Sequence, residues 1–390
     1  MLTTTNEEQS LMVDTARRVG EEYGLDYWRE LDGKGSYPTE FWRAICKAGL
    51  CGIALDEEAG GSGLGMTELA LVVEELSASG AGSTIGQLFM LNPIFGGISI
   101  SRYGTDEMKR TLLPKIVTGD IQCCMALTEP NAGSNTLEMR SFAEEMSGGW
   151  RLRGQKIWIS AVPQSQKMLV VARTKRPDQS SGRSDGISMF LIDTDRQGVK
   201  HEMLSKVGTR CVPASTVAFD DVEIGHEELV GTLHGGWRGL LDVLNTERIV
   251  TTAGLIGTVR LACRLGVDYA NERKVFGDKP ISSYQGIQFP LASALSESMC
   301  ARSLNLVAAS KFDKGMPYGS EANMSKLIAA RAASHATEAA MQAMGGMGFS
   351  TEMHVERLWR DARLFRFAPI SEEMILNYIA VHDLGMARGY

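Results

Sequence analysis

Two short segments carry the residues best suited to chemistry. The first, Ala126-Leu-Thr-Glu-Pro-Asn-Ala-Gly-Ser134, combines small residues and a proline, which predicts an irregular turn with exposed backbone N–H groups. Thr128 and Ser134 add hydroxyl donors, and the second segment, Trp158-Ile-Ser160, offers a flat apolar face. A planar heterocycle that carries a pyrophosphate needs stacking surface, short donors and open backbone together. The two segments therefore predict a site for such a cofactor.

Three successive regions of the chain, each with its own residue pattern, must position these segments. Residues 7–119 show apolar residues at helical spacing, such as Leu11, Ala16 and Val19. Short apolar runs separated by turn residues then predict strands at 150–159, 168–172, 187–192 and 215–219. From Gly235 onward, helices are predicted at roughly 237–271, 284–313, 320–345 and 350–382, which suits an antiparallel four-helix bundle.

The predicted fold class is α+β, with three domains. We expect an N-terminal α-helical domain at residues 1–120, a middle antiparallel β-barrel or sandwich at 121–232, and a C-terminal α-helical bundle at 233–390. The glycine-rich run Gly60–Gly65 resembles a phosphate loop, but no strand-like run precedes it and no lysine follows Gly65. We interpret this run as a turn between helices.

The composition is that of an ordinary soluble globular protein. The net charge is −7 without a run of like charge, which disfavours nucleic-acid binding. No stretch of about 18 uncharged apolar residues occurs, so we expect no membrane span. Seven cysteines without a disulfide-like pattern, and an N-terminus without a signal or transit pattern, favour the cytoplasm. The histidines lie far apart and none pairs with a cysteine at ligand spacing, so no metal site is predicted.

Five motifs in the same order resemble those of the acyl-CoA dehydrogenase family over essentially the whole chain. Besides the two segments above, Arg273-Lys-Val-Phe-Gly277 with Gln285 resembles the Arg-x-x-Phe-Gly…Gln element of the family. Gln342-Ala-Met-Gly-Gly-Met-Gly348 resembles its Gln-x-x-Gly-Gly-x-Gly element, and Arg360-Asp-Ala362 resembles its Arg-Asp-Ala segment. The resemblance implies an FAD-dependent oxidoreductase of fatty acid metabolism that acts on thioesters.

The resemblance also implies which residues bind FAD. One group would contact the isoalloxazine and ribityl-phosphate part: Met125, Leu127, Thr128, Ser134, Trp158 and Ser160. A second group matches positions that reach the FAD of a neighbouring subunit, which implies a homo-oligomer, usually a tetramer in this family: Arg273, Phe276, Gln285, Gln342 and Gly346. Two further matches are Ser371 and Glu373. Purely structural interpretations also exist, namely a strand residue for Trp158, a helix end for Arg273 and a helix stop for Gly346.

A base is required as well, because oxidation removes the α-proton while the β-hydrogen leaves as hydride to flavin N5. In much of the family this base is a Glu soon after the Arg-Asp-Ala segment, where this chain has Pro369. A subgroup similar to isovaleryl-CoA and long-chain acyl-CoA dehydrogenases carries it in an earlier Glu-Arg pair, which Glu247-Arg248 matches. Glu247 is therefore the expected base. The alternatives are a first-turn Glu stabilised by the helix dipole, or Glu372 or Glu373 as the base.

Pro369 also removes a backbone N–H that the family uses to polarise the thioester carbonyl. The loss of one such donor costs roughly 10²–10³ in rate. Three explanations are open. Another group holds the thioester carbonyl, the enzyme turns over slowly, or the substrate is not a plain acyl-CoA. Asn245 and Arg248 match positions that line the pantetheine arm, and Ser134 also reaches the substrate. Candidates to line the acyl pocket, or to pack the core, are Phe89, Met90 and Phe95.

The expected function is FAD-dependent α,β-dehydrogenation of an acyl-CoA, with electrons passed to an electron-transfer flavoprotein. The runner-up is oxidation of an acyl or aminoacyl group on a carrier protein, which presents the same pantetheine arm. Flavin-dependent oxygenation would not need Glu247. A catalytically impaired relative that keeps FAD as structure is an alternative that Pro369 favours.

Overall fold

Helices open the chain in the computed structural model, which describes residues 6–388. They are α1 (Glu7–Glu22), α2 (Leu25–Lys34), α3 (Thr39–Lys47), α4 (Met66–Leu76), α5 (Thr84–Phe89), α6 (Ser99–Tyr103) and α7 (Asp106–Thr118). A π-helical segment, Met90–Ile98, joins α5 to α6. Residues 80–100 are all buried, so this stretch is core on every side. The candidates Phe89, Met90 and Phe95 lie within it.

The glycine-rich run Gly60–Gly65 is a turn that leads into α4. The N–H groups that a phosphate would need at the start of α4 are already bound. Those of Met66 and Thr67 donate to the carboxylate of Asp313 at 2.6 and 3.2 Å. This helix start therefore contacts a later helix, which agrees with the interpretation as a turn.

One mixed sheet follows within the described part of the chain. Its strands are β1 (Cys123–Ala126), β2 (Phe142–Met146), β3 (Gly149–Ser160), β4 (Lys167–Arg173), β5 (Ile187–Asp193), β6 (Val199–Leu204), β7 (Ala214–Gly225) and β8 (Leu229–Val230). Their order is β6-β7-β3-β2-β4-β5-β8, with β1 paired to β4. The middle β region is confirmed. Two pairings, β1 with β4 and β2 with β4, are parallel instead of antiparallel, because those strands reach β4 through crossovers.

The strands predicted at 150–159, 168–172 and 187–192 correspond to β3, β4 and β5, and that at 215–219 lies in the first half of β7. The sequence pattern misses β6, because the side chains of this strand are mostly exposed and no apolar run marks it. Hydrogen bonding to β7 alone defines this strand.

The C-terminal region is helical again. It contains α8 (Gly236–Glu272), α9 (Gln285–Asp313), α10 (Gly319–Met344), α11 (Val355–Leu364) and α12 (Glu372–Tyr378), with a ribbon of β9 (Lys274–Val275) and β10 (Lys279–Pro280) after α8. The first three long helices match the predicted ones. The fourth, predicted at 350–382, is wrong as a single element. A loop that contains Pro369 divides it, and proline has no N–H for a helical hydrogen bond.

The helices, the sheet and the later helices follow one another as the α+β prediction requires. The predicted boundaries after residues 120 and 232 lie in the short connections between these regions, and as domain boundaries they stay predictions. The outer ends at residues 1 and 390 lie outside the described residues. Helix α8 is long and apolar enough to span a membrane, but 83% of its most apolar window is buried inside the protein.

Helix α11 connects all three regions through buried charges. Arg357 donates to the carbonyls of Gly80 and Ala81 in the N-terminal region at 2.6 and 2.9 Å. The carboxylate of Asp361 accepts the N–H of Thr209 from the loop before β7, and it lies 3.6 Å from Arg357. Arg357 and Asp361 are 2% and 1% exposed. The aspartate of the Arg-Asp-Ala segment therefore joins regions of the fold.

Arg357→Met tests this junction. The variant leaves a buried carboxylate and two buried carbonyls without their cation, so the free energy of unfolding should fall by about 3–5 kcal/mol. Thermal unfolding followed by circular dichroism measures the change. Arg363→Met, at an exposed position of the same helix, is the control and should shift stability by less than about 0.5 kcal/mol. Equal Tm values for Arg357→Met and the unmutated protein would contradict the junction.

Candidate active site

The two motif segments meet in space and form what we call the cradle, residues 125–134 and 156–160. The backbone N–H of Ile157 donates to the carbonyl of Thr128 at 2.9 Å. The ammonium of Lys156 donates to the carbonyl of Leu127 at 2.8 Å and to the carboxylate of Glu129 at 2.9 Å. The irregular turn and strand β3 are therefore a single unit.

A buried ion pair fixes the shape of the cradle. Lys156 is fully buried, and Glu129 is 6% exposed. Glu129 also accepts the backbone N–H groups of Arg140 and Ser141 at 2.6 and 2.9 Å. Burial disfavours its charge, but Lys156 and these N–H groups outweigh burial and lower the pKa of Glu129. Sequence reasoning missed this pair. The available signal was the position of Lys156 on the buried face of β3, four residues after the inward-facing Leu152.

Trp158 lies at a bulge of β3 with its indole exposed. The register between β3 and β7 shifts between Lys156 and Ile159. Trp158 has a φ of 62°, a left-handed conformation that is rare for a bulky residue, and it is 55% exposed. Strained residues of this kind cluster at functional sites. An exposed flat ring is what the stacking of a planar heterocycle requires.

The rest of the first cofactor group supplies suitable donors. Around Gly133 no atom lies within 4 Å of the place that a Cβ would occupy, so the backbone of the turn is open to a ligand. Hydroxyl groups for a ligand are present on Thr128, Ser134 and Ser160, and Met125 and Leu127 offer backbone groups. The five residues range from buried to exposed. Open backbone, hydroxyl donors and an exposed indole fit the isoalloxazine and ribityl-phosphate part of FAD.

The second cofactor group lies on the outer surface of the helical region. Its members are all exposed: Arg273, Phe276, Gln285, Gln342 and Gly346. Phe276 is 95% exposed, and Phe349, three residues after Gly346 in the sequence, is 83% exposed. Bare aromatic rings beside an arginine mark an interaction surface. Their exposure leaves them available to a neighbouring subunit.

Glu247 is a buried carboxyl group in the interior of α8. It is 1% exposed, and its Oε1 has no hydrogen-bond partner in the described chain. It lies roughly three turns beyond Gly236, so a first-turn interaction with the helix dipole is excluded. Burial raises the pKa of Glu247 to about 8, against the opposing charges of Arg248 and Lys326. Once ionised, such a group is a stronger base than an exposed carboxylate.

The turn of α8 that carries Glu247 is held from two sides. The carboxylate of Asp242 accepts the hydroxyl of Tyr103, from α6, at 2.9 Å. The hydroxyl of Tyr318, just before α10, lies 2.9 Å from Asp242 Oδ1 and 2.9 Å from the hydroxyl of Thr246. Thr246 directly precedes Glu247. Both the N-terminal helices and α10 therefore set the position of the carboxyl group.

The two runner-up carboxylates have other surroundings. Glu372 is buried but pairs with Arg366 and with Arg331, whose Nε lies 3.3 Å away. Glu373 is exposed, and its own backbone N–H and Ser371 lower its pKa, so it is a solvated anion. Among the three candidates, Glu247 alone combines burial with an oxygen that no cation or donor contacts.

Pro369 lies at an exposed position of the α11–α12 loop, residues 365–371. Lys326 of α10 is completely buried and donates to two carbonyls of this loop, those of Phe365 and Ile370, at 2.6 and 2.8 Å. Ser371 caps α12 through its side chain. The loop is therefore fixed at both ends. Sequence reasoning missed Lys326, because nothing local distinguishes a lysine within a helix from a surface residue.

The predicted substrate residues Asn245 and Arg248 come together with Tyr378 of α12. The side-chain oxygen of Asn245 accepts the Arg248 guanidinium, and Arg248 is buried. A Cβ on Gly319 would lie 3.1 Å from the Tyr378 hydroxyl and 3.5 Å from the Asn245 amide. Glycine therefore lets α10 begin close to these polar groups. Tyr378 is a further polar residue near Asn245 that the sequence analysis did not name.

Metal and disulfide chemistry can be examined within residues 6–388. No group of three or more His, Cys, Asp or Glu side chains there could hold a metal ion. All the cysteines are free thiols, and Cys300 is exposed.

Comparisons with known proteins find matches to all three regions of the chain. Family models for the N-terminal, middle and C-terminal domains of acyl-CoA dehydrogenase match residues 6–120, 124–222 and 234–382. Acyl-CoA dehydrogenase FadE12 of Mycobacterium tuberculosis (strain ATCC 25618 / H37Rv) is 36% identical over 388 residues, which cover 99% of this chain and 98% of the relative.

Solved structures share the whole architecture. The glutaryl-coenzyme A dehydrogenase complex with glutaryl-CoA has a TM-score of 0.94 at 27% identity, over 100% of this chain and 98% of that chain. The FAD complex of PigA has a TM-score of 0.92 at 25% identity, over 99% of each chain.

Lys156→Met tests the cradle. Without the ammonium, Glu129 is a buried unpaired carboxylate and Leu127 loses its donor, so the turn is no longer preorganised. We expect the Kd for FAD to rise at least about tenfold, measured by fluorescence titration of the apoprotein. Arg153→Met, an exposed position of the same strand, should leave the Kd within about twofold. A folded Lys156→Met variant with unchanged FAD affinity would contradict the role of the pair.

Glu247→Gln tests the burial of the base through stability. Between the ordinary pKa of 4.5 and about 8, the native state binds more protons at Glu247 than the unfolded chain does. The free energy of unfolding of the unmutated protein therefore falls as pH rises through this window, whereas glutamine carries no such proton. The stability gained by Glu247→Gln should be about 3–5 kcal/mol greater at pH 9 than at pH 4.5, since one pKa unit corresponds to about 1.4 kcal/mol.

The measurement is thermal unfolding of the FAD-loaded protein at the two pH values. Glu272→Gln, exposed at the end of the same helix, is the matched control and should show no such pH-dependent gain. If the free energy of unfolding of Glu247→Gln differed from that of the unmutated protein by the same amount at both pH values, the carboxyl group would be solvated.

Proposed function

The chain belongs to the acyl-CoA dehydrogenase family and is an FAD-dependent oxidoreductase, and we propose that it dehydrogenates an acyl-CoA thioester between the α and β carbons with Glu247 as the base. The observation that carries the proposal is the burial of Glu247 with no partner for Oε1 within the described residues. A carboxyl group kept for structure would be paired, as Glu129 and Glu372 are.

Bound FAD supplies the acceptor for the hydride that leaves the β-carbon. The chain supplies the base, and Glu247 takes the α-proton on its carboxylate. Desolvation makes this carboxylate more basic than an exposed one and so matches it better to a weakly acidic C–H group. Water is excluded from Glu247 by the packing of α8, which is buried continuously from Thr246 to Val259.

The cradle would hold the flavin end of the cofactor. In this proposal Trp158 lies against the ring, and hydroxyl groups of Thr128, Ser134 and Ser160 donate to it together with the backbone at Met125 and Leu127. Ser371 and Glu373 at the start of α12 would approach the cofactor from the helical region. The exposure of Trp158 and the openness of the turn support this arrangement.

The thioester carbonyl needs a donor other than residue 369. The next two backbone N–H groups, those of Ile370 and Ser371, donate to no group within residues 6–388. Lys326 and the cap of α12 fix the backbone on which they lie. In our proposal one of these N–H groups polarises the carbonyl. Asn245 and Arg248 would contact the pantetheine arm, with Ser134 on the opposite side.

We also propose a homo-oligomer, a tetramer by analogy with the family. The support is the exposed second cofactor group, in which a nearly bare Phe276 stands beside Arg273. Within a neighbouring subunit's site, Arg273 could pair with a cofactor phosphate, and Gly346 would let the backbone approach closely. An electron-transfer flavoprotein is the proposed electron acceptor, and the cytoplasm is the proposed location.

The central test is reduction of the enzyme-bound flavin by thioesters. We expect octanoyl-, isobutyryl- or isovaleryl-CoA to bleach the yellow flavin absorbance under anaerobic conditions. Glu247→Gln should slow this bleaching by at least about 10³-fold while the protein keeps its colour, because the required base is gone. Glu58→Gln removes an exposed carboxylate of the N-terminal region to which we assign no role in the site, so it is the control and should bleach at nearly the rate of the unmutated enzyme.

The outcomes separate the remaining functions. Bleaching by the acyl group on a carrier protein, but by none of the CoA esters, would favour the carrier-linked reaction. No bleaching by either would favour the catalytically impaired relative. Undiminished bleaching in Glu247→Gln would remove Glu247 from the role of base.

A further inference from the structure

One face of α8 carries the proposed base and three later residues. These residues follow Glu247 at intervals of four, three and four positions, so they lie in one row along the helix. We call this set the Glu247 row: Glu247, Thr251, Gly254 and Thr258, all of them buried. The groups that pack on each member decide how much space an acyl chain has beyond the base.

The first turn of the Glu247 row has two buried oxygens without hydrogen-bond partners. They are Oε1 of Glu247 and Oγ1 of Thr251, each on a residue 1% exposed, and neither has a partner within residues 6–388. A threonine in a helix commonly donates to the carbonyl four residues earlier, as Thr258 does to Gly254 at 2.8 Å. Thr251 makes no such bond. Buried polar groups are rarely left unpaired, so this turn is the part of the row that a ligand would cover.

The next member of the row packs directly on α5. A Cβ built on Gly254 would lie 3.0 Å from the backbone nitrogen and 3.1 Å from the Cα of Gly86. In the other direction, a Cβ on Gly86 would lie 3.3 Å from the Cα of Thr251. The backbones of the two helices are therefore in contact, which only glycine permits. This contact leaves no room for an acyl chain between α5 and α8.

The last member of the row is covered by the end of α4 and the residues after it. The hydroxyl of Ser77 donates to the carbonyl of Gly254 at 2.6 Å and lies 3.5 Å from the hydroxyl of Thr258. A Cβ on Gly257 would lie 2.3 Å from the carbonyl oxygen of Glu74. The row is therefore covered by the N-terminal region beyond its first turn.

We propose that the contact between Gly86 and Gly254 limits the substrate to a short acyl group, whose far end lies at Thr251. This inference depends on the proposed role of Glu247, which places the α-carbon beside its carboxyl group. Thr251 lies four residues further on, a distance of about 6 Å along the helix. Four C–C bonds of about 1.5 Å each span this distance at most. A straight chain therefore fits up to about six carbons in total, and short branched chains fit as well.

The first test is flavin reduction in the FAD-loaded enzyme by butyryl-, hexanoyl-, octanoyl- and dodecanoyl-CoA. The second-order rate constant should be highest for butyryl- or hexanoyl-CoA. It should fall at least about tenfold from hexanoyl- to octanoyl-CoA and further for dodecanoyl-CoA, because the added methylenes meet helix backbone that cannot move aside. Reduction by octanoyl- or dodecanoyl-CoA as fast as by hexanoyl-CoA would overturn the inference.

Thr251→Leu tests the far end of the space, since the larger side chain fills the open turn. The ratio of the rate constants for hexanoyl- and propionyl-CoA should fall at least about tenfold. Thr252→Leu is the matched control, because Thr252 shares the burial and the unpaired hydroxyl of Thr251 but lies about 100° around the helix. This control should keep the ratio within about twofold. The same ratio in Thr251→Leu and the unmutated enzyme would contradict the role of Thr251.

Binding of unreactive thioethers needs no proton transfer and so separates this inference from the proposed function. The Kd of hexyl and octyl thioethers of CoA is measured from the change that they cause in the flavin absorbance. We expect the Kd to rise at least about tenfold from the hexyl to the octyl compound. Equal or tighter binding of the octyl compound would overturn the inference. If the expected limit appears but no thioester reduces the flavin, the proposed function fails instead.

Discussion

The proposed function depends on one energetically unfavourable arrangement, a carboxyl group buried in α8 with one oxygen that has no hydrogen-bond partner within the described residues. Folding does not favour such a group by itself, because desolvation penalises its charged form and hydrogen bonding is incomplete. The surrounding elements keep it in place. Asp242 and Tyr318 fix the turn of α8 that precedes it. Buried ionisable groups with a shifted pKa are often catalytic, because the shift suits a carboxylate to proton abstraction.

A chain of contacts connects the base to the cradle. Lys156 and Glu129 fix the turn to β3, and β3 pairs with β7. The loop before β7 donates to Asp361 of α11, and α11 leads into the loop that Lys326 of α10 anchors. Three buried polar contacts therefore lie between the proposed cofactor site in the sheet and the helices that carry the proposed base. In the proposed reaction the proton and the hydride leave adjacent carbons, so the base and the cofactor must be held in a fixed relative position.

The sequence predicted what depends on local pattern. The order of helices, sheet and helices, three of the long helices, the cradle segments and the Glu-Arg pair are all visible as periodicity or as short motifs. The partners Lys156 and Lys326 are invisible at that level, since each acquires its role only when a distant segment folds against it. The same reason explains the division of the predicted helix at 350–382, where Pro369 and the bonds from Lys326 form a loop. Strand β6 is defined by pairing to β7, so its exposed side chains carry no signal.

The most direct test of Glu247 is the structure of the FAD-loaded enzyme with a bound, unreactive thioether analogue of an acyl-CoA. The account predicts a Glu247 carboxylate oxygen within about 3–3.5 Å of the carbon that corresponds to the α position, on the face opposite the flavin. A Glu247 side chain turned away from the ligand, with Glu372, Glu373 or no carboxylate at that carbon, would contradict it.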